Sequence, residues 1–216
     1  MTDPYISASR RASSLKSKAV ADLAKAYQEQ VEEWFLKPAR RLAAAQSKHD
    51  GIAILAILLP LYETHGRMQR GKRATSDSRK KGGSGKGKSR EEKDFTKGIK
   101  AVFKTEAGGK PDWSAFYSKM RCGITHEGIP KGFFVVPDPR NEEVCFTRSD
   151  DGWEVNPWGL LKRTEHFFVE YFGQLQKDSN LRDKFEKAFL ITYGATIDAA
   201  PAHTVAPLVT APSGTL

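Results

Sequence analysis

A chain of 216 residues is long enough for one domain with a full hydrophobic core. Hydrophobic residues are 39% and charged residues 28% of the chain, and the longest apolar run, 51–62, is too short to span a bilayer, so we expect no membrane association. Two cysteines make no disulfide framework. No apolar segment near Met1 is typical of a signal peptide, which predicts a cytoplasmic location.

The first predicted elements are helical. Residues 1–12 are polar, and we expect them to be loosely held. From Ser14 to Phe35 apolar residues recur at helical spacing, which predicts a long amphipathic helix. Pro38 is expected to end or kink this helix, and the alanine-rich stretch 39–46 is expected to be helical again.

A central helix is predicted from Ile52 to Met68. Its first half is apolar nearly all round, which is typical of a helix in the middle of a bundle. Pro60 lies inside it and indicates either a kink or a later start. Glu63 lies at the polar end of this stretch, where a buried carboxylate needs a cation or a donor. We expect Arg121 to be that partner.

The net charge of +9 is concentrated in one segment. Between Arg70 and Arg90 there are nine Lys and Arg against one Asp, which gives this segment a charge of +8. The absence of large apolar residues predicts a flexible basic linker over 71–90. One interpretation is a tether for RNA phosphates, and the other is a solubilising loop. The RNA-binding interpretation assigns contacts to five side chains: Arg70, Lys72, Arg73, Lys80 and Lys81.

The same segment contains a phosphate-loop pattern. Residues 82–89 satisfy G-x-x-x-x-G-K-S. A real phosphate loop follows a hydrophobic strand and leads into a helix, whereas the residues upstream are charged and polar. We therefore treat nucleotide binding through this pattern, and ATPase activity, as the weakest function hypothesis.

Two further helices follow the linker. Phe95, Ile99 and Val102 form an apolar stripe that predicts a helix over 90–105. A second helix is expected to begin at Asp112, a good cap, and to run through Tyr117 to an arginine and a histidine, Arg121 and His126. Side chains five positions apart on a straight helix diverge by about 140°. The two converge only if the helix loosens near Gly123 or if the arginine reaches around.

The last third of the sequence predicts a small sheet and two helices. Short apolar runs separated by turn residues indicate an antiparallel β appendage over 132–156. One helix is expected from Asn156 to Gln176, and another contains Leu181, Phe185 and Phe189. We place the domain at 13–194 and expect a disordered tail over 195–216.

The stretch RCGITHEG, after a helix with the FY pair at 116–117, resembles the HEPN (higher eukaryotes and prokaryotes nucleotide-binding) family. The motif of that family is an arginine, four to six residues, and a histidine at the end of a helix in a small bundle. The resemblance extends to the apolar helix that ends LYETHGRMQRG. It departs at Cys122, where many members have Asn, Asp or His. The fold that this resemblance implies is mainly α, a HEPN-like bundle with the β appendage after the motif helix.

The resemblance also implies a function, a metal-independent endoribonuclease of the defence or toxin kind. The ribose 2′-OH attacks the adjacent phosphate, His126 acts as general base or acid, and Arg121 stabilises the charge on the phosphorane. Glu63 and Thr125 are auxiliary candidates. The partners that this implies are RNA, a second copy in a homodimer, and an antitoxin or a nucleotidyltransferase; no cofactor is expected.

Structural roles for the same residues stay open. In a purely structural interpretation, Arg121 pairs with Glu63 or Glu127, and His126 only caps its helix. The chain is in that case a non-catalytic module that binds nucleic acid or a protein. Cys122, Cys145 and His126 lack an evident fourth ligand for a zinc site.

Overall fold

The computed structural model describes residues 2–70, 88–104 and 109–202, and these ranges are mainly helical. The β elements lie together after the motif helix, which confirms a mainly α fold with a small β appendage. The α-helices are α1 (Val20–Gln30), α2 (Lys37–Ala44), α3 (Gly51–Arg70), α4 (Arg90–Val102), α5 (Trp113–Ala115), α6 (Cys122–Glu127), α7 (Pro157–Lys177) and α8 (Ser179–Ala199). None of the described helices is both long enough and apolar enough to cross a membrane.

The N-terminal segment packs on the bundle ahead of residue 13, where the sequence analysis places the start of the domain, and is not loosely held. Tyr5 pairs with Arg11 in an isolated antiparallel bridge, and Ile6 is buried. The Ser7 hydroxyl donates to the Glu29 carboxylate at 2.6 Å. A short 3₁₀ helix, Ala12–Leu15, then packs against α8. An apolar side chain and a partnered polar one are enough to hold these residues on the bundle.

Pro38 lies inside a continuous helical stretch. Between α1 and α2 the backbone adopts a π-helix over Val31–Leu36, and α2 follows it directly with Pro38 in its first turn. A proline has no N–H, and its ring collides with the carbonyl four residues earlier in an α-helix. The wider π turn in front of Pro38 is a local adjustment that accommodates this mismatch. The helix is therefore neither ended nor interrupted there.

α3 is the centre of the bundle, as predicted, and packs most closely against α4. Ile54, Leu55, Leu58 and Leu59 of its first half are buried. A Cβ at Gly66 would lie 1.7 Å from the Asp94 carbonyl oxygen, and a Cβ at Gly98 would lie 1.8 Å from that of Tyr62. The two glycines let the backbones of α3 and α4 nearly touch. This contact fixes how the polar ends of the two helices face each other.

The sheet is mixed, not wholly antiparallel. Its strands are β1 (Phe133–Val135), β2 (Phe146–Ser149) and β3 (Gly152–Val155), in the order β1-β3-β2. β2 and β3 form the expected antiparallel hairpin, whereas β1 pairs with β3 in parallel. The loop between β1 and β2 returns the chain to the same end of the sheet, and Asn156 holds it through hydrogen bonds to the Asp138 and Asn141 carbonyls.

The two last helices pack against α1 and α3. Phe168 of α7 and Phe185 and Phe189 of α8 are buried. α8 continues to Ala199, so the first residues of the tail predicted over 195–216 are helical. Residues 203–216 and 71–87 lie outside the described residues. The latter range contains Lys72, Arg73, Lys80, Lys81 and most of the phosphate-loop pattern.

Candidate functional site

The motif helix is built from three consecutive segments. Asp112 caps it, and its carboxylate accepts from the Ser114 N–H at 3.0 Å. α5 then passes into a π-helical stretch, Phe116–Arg121, and this into α6. Gly128 ends α6 with a φ of +76°, a left-handed conformation that glycine adopts without strain. The loosening expected near Gly123 therefore lies earlier, directly before and at Arg121.

Gly123 has a different role, which is to let the chain pass close by after the helix. A Cβ at this position would lie 2.6 Å from the Ile129 carbonyl oxygen. The Lys131 N–H also donates to the Lys119 carbonyl at 3.0 Å. The segment after Gly128 thus folds back along the motif helix on its way to β1. A side chain at Gly123 would push this segment away.

Arg121 reaches Glu63 and forms the ion pair that the sequence predicts. Its Nη2 donates to Glu63 Oε2 at 2.8 Å, and the two side chains are only 17% and 10% exposed. The Arg121 guanidinium also lies 5.9 Å from the centre of the Tyr117 ring, within cation–π range. Arg67, one turn along α3, donates to the other Glu63 oxygen at 3.2 Å. One carboxylate therefore positions two guanidinium groups.

A second carboxylate, Asp94 of α4, continues this cluster. It is 1% exposed and pairs with Arg70 at 2.9 Å, with Arg90 at 3.9 Å and with Arg67 at 4.0 Å. Burial raises the pKa of Asp94, while the three guanidinium groups lower it. Arg70, predicted to contact RNA, is thus placed on a buried carboxylate. We call Glu63, Arg67, Arg70, Arg90, Asp94 and Arg121 the arginine cluster.

The arginine cluster is not fully satisfied by its own members. Among the described residues, the buried Arg70 Nε, Arg121 Nε and Asp94 Oδ1 atoms have no hydrogen-bond partner. Four guanidinium groups face two carboxylates, so the cluster keeps an excess of positive charge. Buried polar atoms are normally paired, and unpaired ones are found at sites that receive a ligand or that move. The surplus donors favour an anion as that ligand.

His126 is exposed and does not join this cluster. Within the described ranges it makes no hydrogen bond and no ion pair, and Thr125 beside it is also exposed. The next residue, Glu127, pairs with Lys131 at 2.6 Å and not with Arg121. The structure therefore brings Arg121 onto Glu63 and leaves the imidazole facing solvent. It does not seal His126 in the core.

Among the described histidines, the buried one is His65, one turn before Gln69 on α3. Its ring lies among Phe167, Phe168 and Tyr171, and its nitrogens contact the Tyr27 hydroxyl at 3.2 Å and the Gln69 amide at 2.9 Å. Burial, with a contribution from the charge of Lys97, lowers the pKa of His65 to about 3. This imidazole is neutral at physiological pH and acts as a core side chain.

Sequence reasoning missed Asp94, Arg67 and Arg90, and it assigned Arg70 to RNA and not to Asp94. The signal that identifies them is a spacing of charges, since Arg90 and Asp94 are four apart on α4, as are Glu63 and Arg67 on α3. Their convergence depends on the close crossing of these two helices. Neither spacing predicts that crossing.

Within 2–70, 88–104 and 109–202 no three His, Cys, Asp or Glu side chains come together in a way that suits a metal ion. Cys145 is buried and Cys122 is half-buried. Comparisons of the chain with protein-family models, with curated proteins and with solved structures found no match.

Proposed function

We propose that this protein is a metal-independent endoribonuclease of the HEPN type. The observation that carries the proposal is the arrangement at the end of the motif helix. Glu63 holds the half-buried Arg121 side chain in place. His126, five residues later in the sequence, is exposed and accessible to a substrate. A fixed guanidinium and a solvent-accessible imidazole are the groups that cleavage of a phosphodiester by its own 2′-OH requires.

In this reaction His126 takes the proton of the ribose 2′-OH, and the oxygen attacks the adjacent phosphorus. The bond from phosphorus to the 5′ oxygen breaks, and that oxygen takes a proton from an acid. The products are a 2′,3′-cyclic phosphate and a free 5′-OH. Arg121 donates to the non-bridging oxygens of the phosphorane through the N–H groups that do not bond to Glu63. Thr125 is proposed as an auxiliary donor to the phosphate. DNA lacks the 2′-OH and is not cleaved.

A homodimer supplies the second proton-transfer group, which a single copy lacks. Within one copy His126 is not in contact with Arg121, and the reaction needs a base on one side of the phosphate and an acid on the other. Two copies that meet at their motif helices bring two such pairs together. Ile129 and Phe134, directly after the motif, are 57% and 48% exposed and give this face apolar area to bury.

The wider biology is part of the same proposal. A cytoplasmic toxin or defence role, with an antitoxin or a nucleotidyltransferase as partner, rests on the resemblance alone. The basic residues Lys72, Arg73, Lys80 and Lys81 are proposed to hold RNA through salt-sensitive phosphate contacts. They lie outside the described residues, whereas Arg70 is paired with Asp94.

A non-catalytic module that binds RNA is the second candidate. One observation favours it, which is that Glu63 already neutralises Arg121 at 2.8 Å. An arginine that is paired with a buried carboxylate can hold the bundle together without any substrate. In this case the arginine cluster is a scaffold, and the RNA contacts lie elsewhere on the surface.

Cleavage in EDTA separates these candidates. We expect the wild-type protein to convert RNA to fragments with cyclic-phosphate ends, and Arg121→Ala and His126→Ala to reduce the rate by at least about 100-fold. His166→Ala is the matched control, because His166 is an exposed histidine on α7, paired with Glu170, away from the motif. Cleavage that survives His126→Ala contradicts the mechanism. RNA binding without cleavage by the wild type establishes the module.

A further inference from the structure

A groove with basic walls lies between α4 and the start of the motif helix. It has a volume of about 490 Å³ and is lined by residues that include Lys88, Lys100, Lys104, Lys110, Thr96 and Ser114. The four lysines come from both sides, three from α4 and its flanks and Lys110 from the approach to α5. We call this feature the lysine groove.

Most of the charge of the lysine groove is not neutralised. Lys88 pairs with Glu92 at 3.5 Å, but Lys100, Lys104 and Lys110 form no ion pair among the described residues. Among the described residues, the carboxylate that lines the groove is that of Asp112, which already accepts the Ser114 N–H. In the same part of the chain, the Thr96 Oγ1 atom is buried and has no hydrogen-bond partner. The groove therefore offers ammonium groups and a hydroxyl to a ligand rich in anionic oxygens.

The groove also leads towards Arg121. Ser114, which lines the groove, lies on the motif helix seven residues before Arg121. The Tyr117 ring lies beneath the Arg121 guanidinium. A chain of phosphates that lies along the groove would thus continue to the motif helix.

We propose that the lysine groove binds the phosphodiester backbone of single-stranded RNA and guides it to Arg121. This inference rests on the proposed ribonuclease function for its substrate. Trp113, the aromatic residue of the lining, is 5% exposed and packed in the core, so it offers no surface for base stacking. The groove contacts phosphates without reading sequence. An acidic protein segment would bind the same charges, and a wild-type protein that binds no RNA in the test below would favour it.

Binding of a non-cleavable 2′-O-methyl RNA, followed by fluorescence anisotropy, tests the groove separately from catalysis. The test protein carries Lys100→Gln, Lys104→Gln and Lys110→Gln. The control carries Lys25→Gln, Lys184→Gln and Lys187→Gln, which remove the same charge from exposed positions on α1 and α8. We expect the groove variant to bind at least about ten-fold more weakly, and the slope of log K against log[salt] to fall by about 2, as for three lost phosphate contacts. The control should stay within about two-fold of wild type.

Cleavage of ordinary RNA by the same proteins distinguishes the two proposals. If the groove variant binds RNA like the control, or the wild type binds none, the inference is overturned. If the groove variant binds RNA like the control but cleavage still depends on His126, the ribonuclease proposal is kept without the groove. If the groove variant loses RNA binding and no protein cleaves, the groove stands and the ribonuclease proposal fails. Unchanged circular dichroism of the groove variant shows that the loss is local.

Discussion

At the scale of single residues, the ion pair between Glu63 and Arg121 connects the sequence to the site. A carboxylate at the end of a buried apolar helix predicts a cation, and the structure provides one at 2.8 Å. The charge of Asp94 is likewise balanced by arginines from two helices. Asp94 was not predicted because two of its three arginine partners, Arg67 and Arg70, reach it only through the packing of α3 against α4.

We predict that Glu63→Gln destabilises the fold by about 2–3 kcal/mol, because it leaves Arg121 without a carboxylate and Arg67 with only the more distant Asp94. Urea unfolding measures this free energy. Glu127→Gln breaks an exposed pair with Lys131 and is expected to change stability by less than about 0.5 kcal/mol. Equal effects of the two substitutions would show that the Glu63 pair contributes nothing special.

The buried His65 leads to a prediction about how the stability of the fold depends on pH. Its pKa is about 3 in the fold and 6.5 in a free chain, so the unfolded protein binds a proton that the fold excludes. Stability due to the buried neutral ring is complete above pH 6.5 and falls as the pH drops from 6.5 towards 3, with a slope of about 1.4 kcal/mol per pH unit.

The urea midpoint measured between pH 7 and pH 5 checks this dependence. We expect His65→Gln to be less stable at pH 7 but to lose less stability on acidification than the wild type. His166→Gln, at an exposed position, should keep the wild-type slope. A wild-type slope in the His65→Gln protein would mean that other groups cause the acid sensitivity.

At the scale of elements, hydrophobic periodicity predicts the helices of the bundle but not the irregularities that shape the site. In the described residues, π-helical stretches at Val31–Leu36 and Phe116–Arg121 join consecutive α-helical segments. The pattern of apolar residues does not show whether a backbone N–H bonds to the carbonyl four residues earlier, as in an α-helix, or five residues earlier, as in a π-helix. The parallel pairing of β1 with β3 was missed for a related reason, since local turn signals predict hairpins and contain no information on a strand that returns from outside the hairpin.

The crossing of α3 and α4 gives a prediction for its two glycines. Gly66→Ala and Gly98→Ala each place a Cβ within 2 Å of a backbone carbonyl oxygen, 1.7 Å and 1.8 Å respectively. The helices must separate, which we expect to cost about 3 kcal/mol or more. Thermal unfolding checks this. Gly173→Ala on α7 has no atom within 4 Å of the new Cβ and is expected to be neutral or stabilising by up to about 1 kcal/mol. A mild effect at the crossing would mean that the helices adjust easily.

At the scale of the whole molecule, the N-terminal segment belongs to the domain. We predict that Ile6→Ala destabilises the protein by about 2–4 kcal/mol, because Ile6 is 3% exposed and packs into the main core. Val169→Ala, at a side chain that is 74% exposed, should change stability by less than about 0.5 kcal/mol. Chemical denaturation distinguishes the two outcomes. Equal stability of both variants would restore the domain boundary at residue 13.

The proposed dimer is tested on the face that follows the motif helix. We expect Ile129→Asp to convert a dimer to a monomer and to reduce cleavage, because it places a charge in the apolar contact. Light scattering measures the mass. Val169→Asp, at a still more exposed aliphatic position on α7, is expected to leave the mass and the activity unchanged. A dimer that survives Ile129→Asp would place the interface elsewhere.

The close contact of α3 and α4 at Gly66 and Gly98 also constrains how the sequence of this protein can diverge. The backbone carbonyl oxygens that face the two glycines leave no room for a side chain, whereas the exposed surfaces of both helices accept many side chains. A descendant that replaces either glycine must re-space α3 and α4, and with them the Glu63 and Asp94 carboxylates that the two helices carry. In related chains, the arginine cluster and the paired glycines should therefore be inherited together or lost together.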